Sequence, residues 1–142
     1  MPHKQRENMS GETELHILLR SLNPTVHDHR FVFTHIPKGH SVDWSKIQPL
    51  GMFQEREGTT LILEQHIAQA HALHYETIFA CITLQIHSSL NAVGLTAAIS
   101  HALATENIPA NVIAAYHHDH IFVPEIKTVR AIEILKDLSN RS

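Results

Sequence analysis

At 142 residues the chain has room for one compact domain or two very small units sharing a core. With 43% apolar and 18% charged residues its composition is that of a globular chain. The formal charge of −3 leaves no basic stripe to neutralise phosphates, which argues against a nucleic-acid partner. Cys81 is the sole cysteine, so neither an intrachain disulfide nor a cysteine-based zinc site can form. With no signal-peptide pattern, this points to a cytoplasmic protein. The longest apolar run, 78–84, is too short to span a membrane, so no membrane partner is expected.

Residues 1–10 are polar and read as a flexible N-terminus. Leu15, Leu18, Leu19 and Leu22 recur at i, i+3, i+4, i+7 and predict an amphipathic helix over 13–22, ended by Asn23-Pro24. A strand follows at 31–36 and stops at Pro37. Residues 38–50 read as a loop with Trp44 as its one large anchor. Short strands at 52–56 and 59–64 flank a tight turn at Glu57-Gly58, where glycine accepts positive φ. A two-turn helix is predicted at 67–74.

The stretch 77–87 is apolar and β-rich enough for an inner strand. A helix begins near Val93, with Leu95, Ala98, Ile99, Ala102 and Leu103 as its buried stripe, and ends near Asn107-Ile108-Pro109. Strands at 111–116 and 120–123 surround a histidine-rich turn. A last helix spans 127–138, with Ala131, Ile134, Leu135 and Leu138 on one face.

The second half thus reads β-α-β-β-α, a split βαβ pattern lacking one strand. The first half reads β-loop-β-β-α and lines up with it by element type, as a degenerate internal repeat would. The predicted fold class is therefore α+β with two ferredoxin-like units in tandem, the first having a loop in place of its first helix. The boundaries follow as 11–75 and 76–142.

Three runs carry a further likeness. They are 53–63, beginning Phe53-Gln54-Glu55-Arg56; 82–97, containing Ser88-Ser89-Leu90-Asn91-Ala92-Val93-Gly94; and 111–124, containing His117-His118-Asp119-His120. In order and spacing they resemble a small bacterial family of stand-alone ACT-domain proteins, over roughly residues 15–138. The resemblance implies two ACT-type βαββαβ units. It also implies kinship with the paired ACT units of aspartate kinases and of an arginine sensor in animal nutrient signalling. It further implies a small-molecule effector, such as an amino acid, often held at an interface between two units.

The strand-to-helix turn at 88–95 is the candidate site. Amides at a helix N-terminus suit a carboxylate, and Gly94 permits close approach of the backbone. Ser88, Ser89 and Asn91 can donate to an anion or simply cap the helix. The resemblance adds Val93, Gly94 and Leu95 as effector contacts. It also brings in Asp119 as an acceptor for an α-ammonium, although a turn residue alone is the preferred reading of an aspartate there.

The chain has fourteen histidines. His118 and His120 share a face of a strand, with His117 beside them, and His71, His74 and His87 are the other available ligands. Their spacing matches no metal motif, so chance clustering is preferred and neither metal nor cofactor is assigned. Glu55 and Glu57 read as a solvated edge. Cys81 reads as a small buried residue and not a nucleophile. No nucleophile, base and orienter assemble, so no catalytic residue is named and the chain is read as a non-enzyme. The RNA-recognition alternative fails because no inner strand carries the basic-aromatic pattern. The sheet edges left uncovered by these units predict a homodimer.

Overall fold

The computed structural model describes residues 11–86 and 89–142. In chain order it contains α1 (Gly11–Arg20), β1 (Pro24–Pro37), β2 (Gly51–Gln54), β3 (Gly58–Glu64), α2 (Gln65–Ala70) and β4 (Phe79–Leu84). There follow α3 (Leu95–Ala104), β5 (Asn111–Ala114), β6 (Asp119–Pro124), a 3-10 turn at Glu125–Lys127 and α4 (Thr128–Arg141). Residues 27–81 form one compact unit. Residues 82–142 form the other, together with the N-terminal segment as far as Val26.

In the 27–81 unit the strands run β2-β3-β1, all antiparallel. The register sets Val32 opposite Leu63 and Thr34 opposite Leu61. Val32, Leu61 and Leu63 join Ile36, Ile47 and Ala68 in one apolar core. Thr34 is the polar exception in this buried row, and its hydroxyl donates to the His74 carbonyl at 2.8 Å. That bond satisfies a group whose burial would otherwise cost about 1–3 kcal/mol. The loop 38–50 takes the place of a first helix, as expected. Its anchor, however, is Ile47, which is 4% exposed, whereas Trp44 is 49% exposed. A short turn held by Asp43 places Ile47: the Lys46 and Ile47 amides donate to the Asp43 carbonyl at 3.0 and 3.1 Å.

The hairpin between β2 and β3 is offset by one residue from the predicted turn. Glu55 and Gly58 exchange both backbone bonds, at 2.8 and 3.3 Å, so Arg56-Glu57 is the two-residue loop. Gly58 is needed for a different reason. Its φ is +152°, and a Cβ there would lie 2.1 Å from the Ile36 carbonyl oxygen.

In the other unit the strands run β4-β6-β5, with β5 and β6 antiparallel. The helical stripes read from the sequence bury Leu19 on α1, Leu95, Ile99 and Leu103 on α3, and Ala131, Ile134 and Leu135 on α4. In β6, Ile121, Phe122 and Val123 are all buried, so both of its faces are covered, as an inner strand requires. Asn107 adopts φ +57°, a left-handed residue that closes α3 while the Ile108 amide donates back to the Leu103 carbonyl at 3.1 Å.

The N-terminal segment runs beside the end of β4. The Gln85 amide donates to the Leu22 carbonyl at 3.0 Å, and its side chain to Thr25 Oγ1 at 3.3 Å. Residues 22–25 thereby give this unit extended backbone that the sequence pattern of 76–142 lacks. β1 is also longer than predicted, starting at Pro24 where the sequence suggested 31.

Candidate functional site

The predicted ligand loop lies in the unit that contains α3. His87 and Ser88 are outside the described residues. From Ser89 onward the loop folds on itself: Ser89 Oγ accepts the Asn91 amide at 3.0 Å, and the Ser89 carbonyl accepts the Ala92 amide at 2.9 Å. The Ser89 hydroxyl is thus used to close a turn and does not cap the helix. The helix cap is Gly94 itself, at φ +99°, with no side-chain hydrogen bond to the first turn. The helix starts at Leu95, two residues later than predicted, because only glycine takes this left-handed entry without strain.

Two consequences follow for the chemistry. The first-turn amides of α3 meet no capping oxygen from the Gly94 side chain, since it has none, and they keep their partial positive charge. Residues 89–93 are all exposed and Val93 is 87% exposed, whereas Leu95 is turned into the core at 4%. Leu95 can therefore offer its backbone amide but not its side chain. Gly94 is also packed closely: a Cβ would stand 3.1 Å from Leu15 Cδ2 on α1.

Asp119 opens β6 opposite Ala114. It is 6% exposed, one of two buried polar or charged residues among those described, the other being Thr34. It is held in the interior at the head of an inner strand.

The histidines at 117–120 do not converge on an ion. His120 Nδ1 lies 2.9 Å from Thr83 Oγ1 on β4, and His117 packs edge-on against Tyr116 at 4.9 Å. His71 lines a cavity of about 270 Å³ with His35, His40 and Asp43. His74 faces Glu76 at 4.0 Å in solvent. Glu55 accepts the Thr60 hydroxyl and Glu57 is exposed, while Cys81 is buried. A groove of about 580 Å³ between α3 and α4 is lined by residues that include His101, Glu106 and Arg130, and by none of the predicted site residues.

One group was missed by the sequence reading. His29, Glu64 and His66 bring three ligating atoms within 4.8 Å of one another, and among the described residues no other histidine, cysteine or acidic set does so. The signal was hidden because β1 starts seven residues earlier than its apolar run. The ladder ends where Phe31 pairs with Glu64, and His29 and His66 each lie two residues beyond that end, on β1 and in the first turn of α2. Continuing the antiparallel pairing backward from Phe31 would have shown it.

Two antiparallel strand sets, each with its own helices and core, define a tandem ferredoxin-like protein. ACT-domain models match residues 10–80 and 76–137, and the chain belongs to the ACT-domain family. It is similar to a Vibrio cholerae protein of unknown function, described as a possible transport protein. The two are 41% identical over 92% of this chain and 99% of that one, with a TM-score of 0.81. The fold is also that of an Agrobacterium tumefaciens protein, at 10% identity over 82% of this chain and 87% of that one, with a TM-score of 0.69. The ligand-free regulatory subunit of aspartate kinase from Thermus thermophilus shares it too, at 10% identity over 83% of this chain and 97% of that one, with a TM-score of 0.60. No curated protein matches the chain. Membership of this family supports a regulatory, ligand-binding role in general. No helix among the described residues is long and apolar enough to cross a membrane.

Proposed function

We propose that this protein is a non-catalytic regulatory module that binds an amino acid at the loop 88–95 and acts as a homodimer in the cytoplasm. The observation that carries this reading is the glycine-capped start of α3. A left-handed Gly94 leaves the first-turn amides without a side-chain cap, beneath an exposed loop. An α-carboxylate is the ligand group such amides recognise. Ser88, Ser89 and Asn91 supply further polar groups, and Val93, the most exposed apolar residue of the loop, supplies contact for an aliphatic stem. Asp119 is the acceptor for the α-ammonium, a role that a buried carboxylate at the head of an inner strand can perform strongly. Binding would tie the loop to α3, and the ordered loop is the signal a partner reads.

A thermal-shift panel of amino acids that includes arginine, lysine, threonine and the aromatic and branched residues tests this. Ligand at a hundredfold its Kd stabilises the native state by about 2.7 kcal/mol, a rise in Tm of several degrees. The expected result is a rise with one member, reduced by Asp119→Asn. A flat panel sinks the amino-acid reading.

A further inference from the structure

We infer that His29, Glu64 and His66 form a binding site for one borderline-soft divalent transition ion of the zinc class, held in the 27–81 unit. The site is independent of the ligand loop.

The three residues converge from three elements, β1, β3 and α2. Glu64 ends β3 and stands at the N-cap position of α2, yet its side chain does not cap that helix. One carboxylate oxygen faces each imidazole instead: Oε1 lies 3.8 Å from His29 Nε2, and Oε2 lies 3.4 Å from His66 Nε2. The two rings are 5.5 Å apart between centroids and tilted by 38°. His66 comes from the first turn of α2, and His29 from β1.

These separations are longer than those of direct charge-assisted hydrogen bonds. A charge-assisted N–H···O bond closes to about 2.7–2.9 Å, and neither contact does so. Ligand atoms about 2.0–2.1 Å from a tetrahedral zinc stand about 3.3 Å from each other. The two contacts run to different carboxylate oxygens, and one ligand atom from each of the three residues falls within 4.8 Å of the others, so side-chain rotation can bring a single Glu64 oxygen and both imidazoles onto one ion. Two imidazoles and one carboxylate, with the fourth position open to water, are a ligand set that zinc accepts. Two nitrogen donors of three disfavour calcium and magnesium, which prefer oxygen.

His27 is next along the same face, with its ring 5.9 Å from that of His29, but it is not a ligand. Its Nδ1 accepts the His29 amide at 3.2 Å, which in the neutral ring places the proton on Nε2. The contact instead braces the β1 backbone at His29.

Zinc titration calorimetry on the full chain, followed by cobalt absorption, tests the site. His29 and His66 have side chains 51% and 59% exposed, so their removal should leave the fold intact by circular dichroism. The expected result is one saturable equivalent per chain and the visible bands of low-coordinate cobalt. His29→Ala, Glu64→Gln and His66→Ala should each weaken binding by about a hundredfold, the upper end of what loss of even an outer partner costs. The double substitution His117→Ala with His118→Ala should leave that equivalent in place. The absence of a saturable equivalent, or one that survives all three ligand substitutions, overturns the site. Neither outcome depends on any amino acid binding at 88–95.

Discussion

At Gly58 a missing side chain decides local structure. The Ile36 carbonyl occupies the place where a Cβ would go, 2.1 Å away, and His35 Cε1 lies 2.7 Å from the same point. The first of these atoms is backbone near the end of the β1–β3 ladder, where Ile36 pairs with Thr59, and cannot rotate aside. Gly58→Ala should therefore cost about 2–4 kcal/mol in urea unfolding, the range of severe backbone effects. A loss under about 1 kcal/mol, the scale of helix-interior glycine exchange, would show that the strand can shift. Asp43 is a gentler case. The Ser45 hydroxyl and then the Ser45 amide, at 3.1 Å, hold its carboxyl below the ordinary aspartate value of 3.8. Because the folded value is depressed, this contribution to stability is complete above 3.8 and is lost as pH falls through the lower folded value. Carbon-detected NMR should place the Asp43 midpoint below 3.8 and find it moved back up in Ser45→Ala.

Among the elements, burial outweighs visible charge pairing. Arg130 on α4 bonds Glu106 and also Glu133, the latter at 3.0 Å, and these carboxylates raise its already high pKa. All three side chains face solvent, so salt screens them, and Arg130→Ala should shift Tm little, and less still in high salt. Leu135, five residues further along α4, is fully buried, and Leu135→Ala should cost about 2–5 kcal/mol by chemical denaturation. The same contrast explains what the sequence made legible. The stripes of α1, α3 and α4 follow from the 3.6 period, because buried leucines and isoleucines recur on one face. Loops lack such a period, so size alone points to Trp44 as the anchor, while the backbone bonds of Asp43 turn Ile47 inward. The His29–Glu64–His66 set was invisible for a related reason. It depends on where an exposed, polar stretch of β1 begins to pair, and no hydrophobic alternation marks that start. At the entry to α3, Ser88, Ser89 and Asn91 read from sequence as either a helix cap or donors to an anion, because such side chains do both. A left-handed Gly94 stands at the cap position instead, so the first turn of α3 begins at Leu95.

For the whole molecule, order along the chain and order in space differ at one place. Sequence pattern puts the first helix with the residues that follow it, and the first ACT match likewise begins at residue 10. Contacts put that helix with residues 82–142. The physical links are specific: Leu19 and Leu22 are buried, Leu15 packs on Gly94, Ser139 donates to the Arg20 carbonyl at 3.1 Å, and Gln85 pairs with Leu22. Removing residues 11–26 would expose two leucine sites worth about 1.5–3 kcal/mol each. It would also strip Gln85 of its backbone partner, a combined loss comparable with the whole stability of a small domain. A fragment of residues 76–142 alone should therefore show little cooperative unfolding, although it contains the second ACT match in full. Supplying 11–26 at its C-terminus through a flexible linker, as a circular permutation, should restore a sigmoidal thermal transition. Equal cooperativity in the two fragments, read by circular dichroism at 222 nm (the standard helix wavelength, about 220 nm), would show that the N-terminal segment is dispensable and that the unit ends where the linear pattern ends.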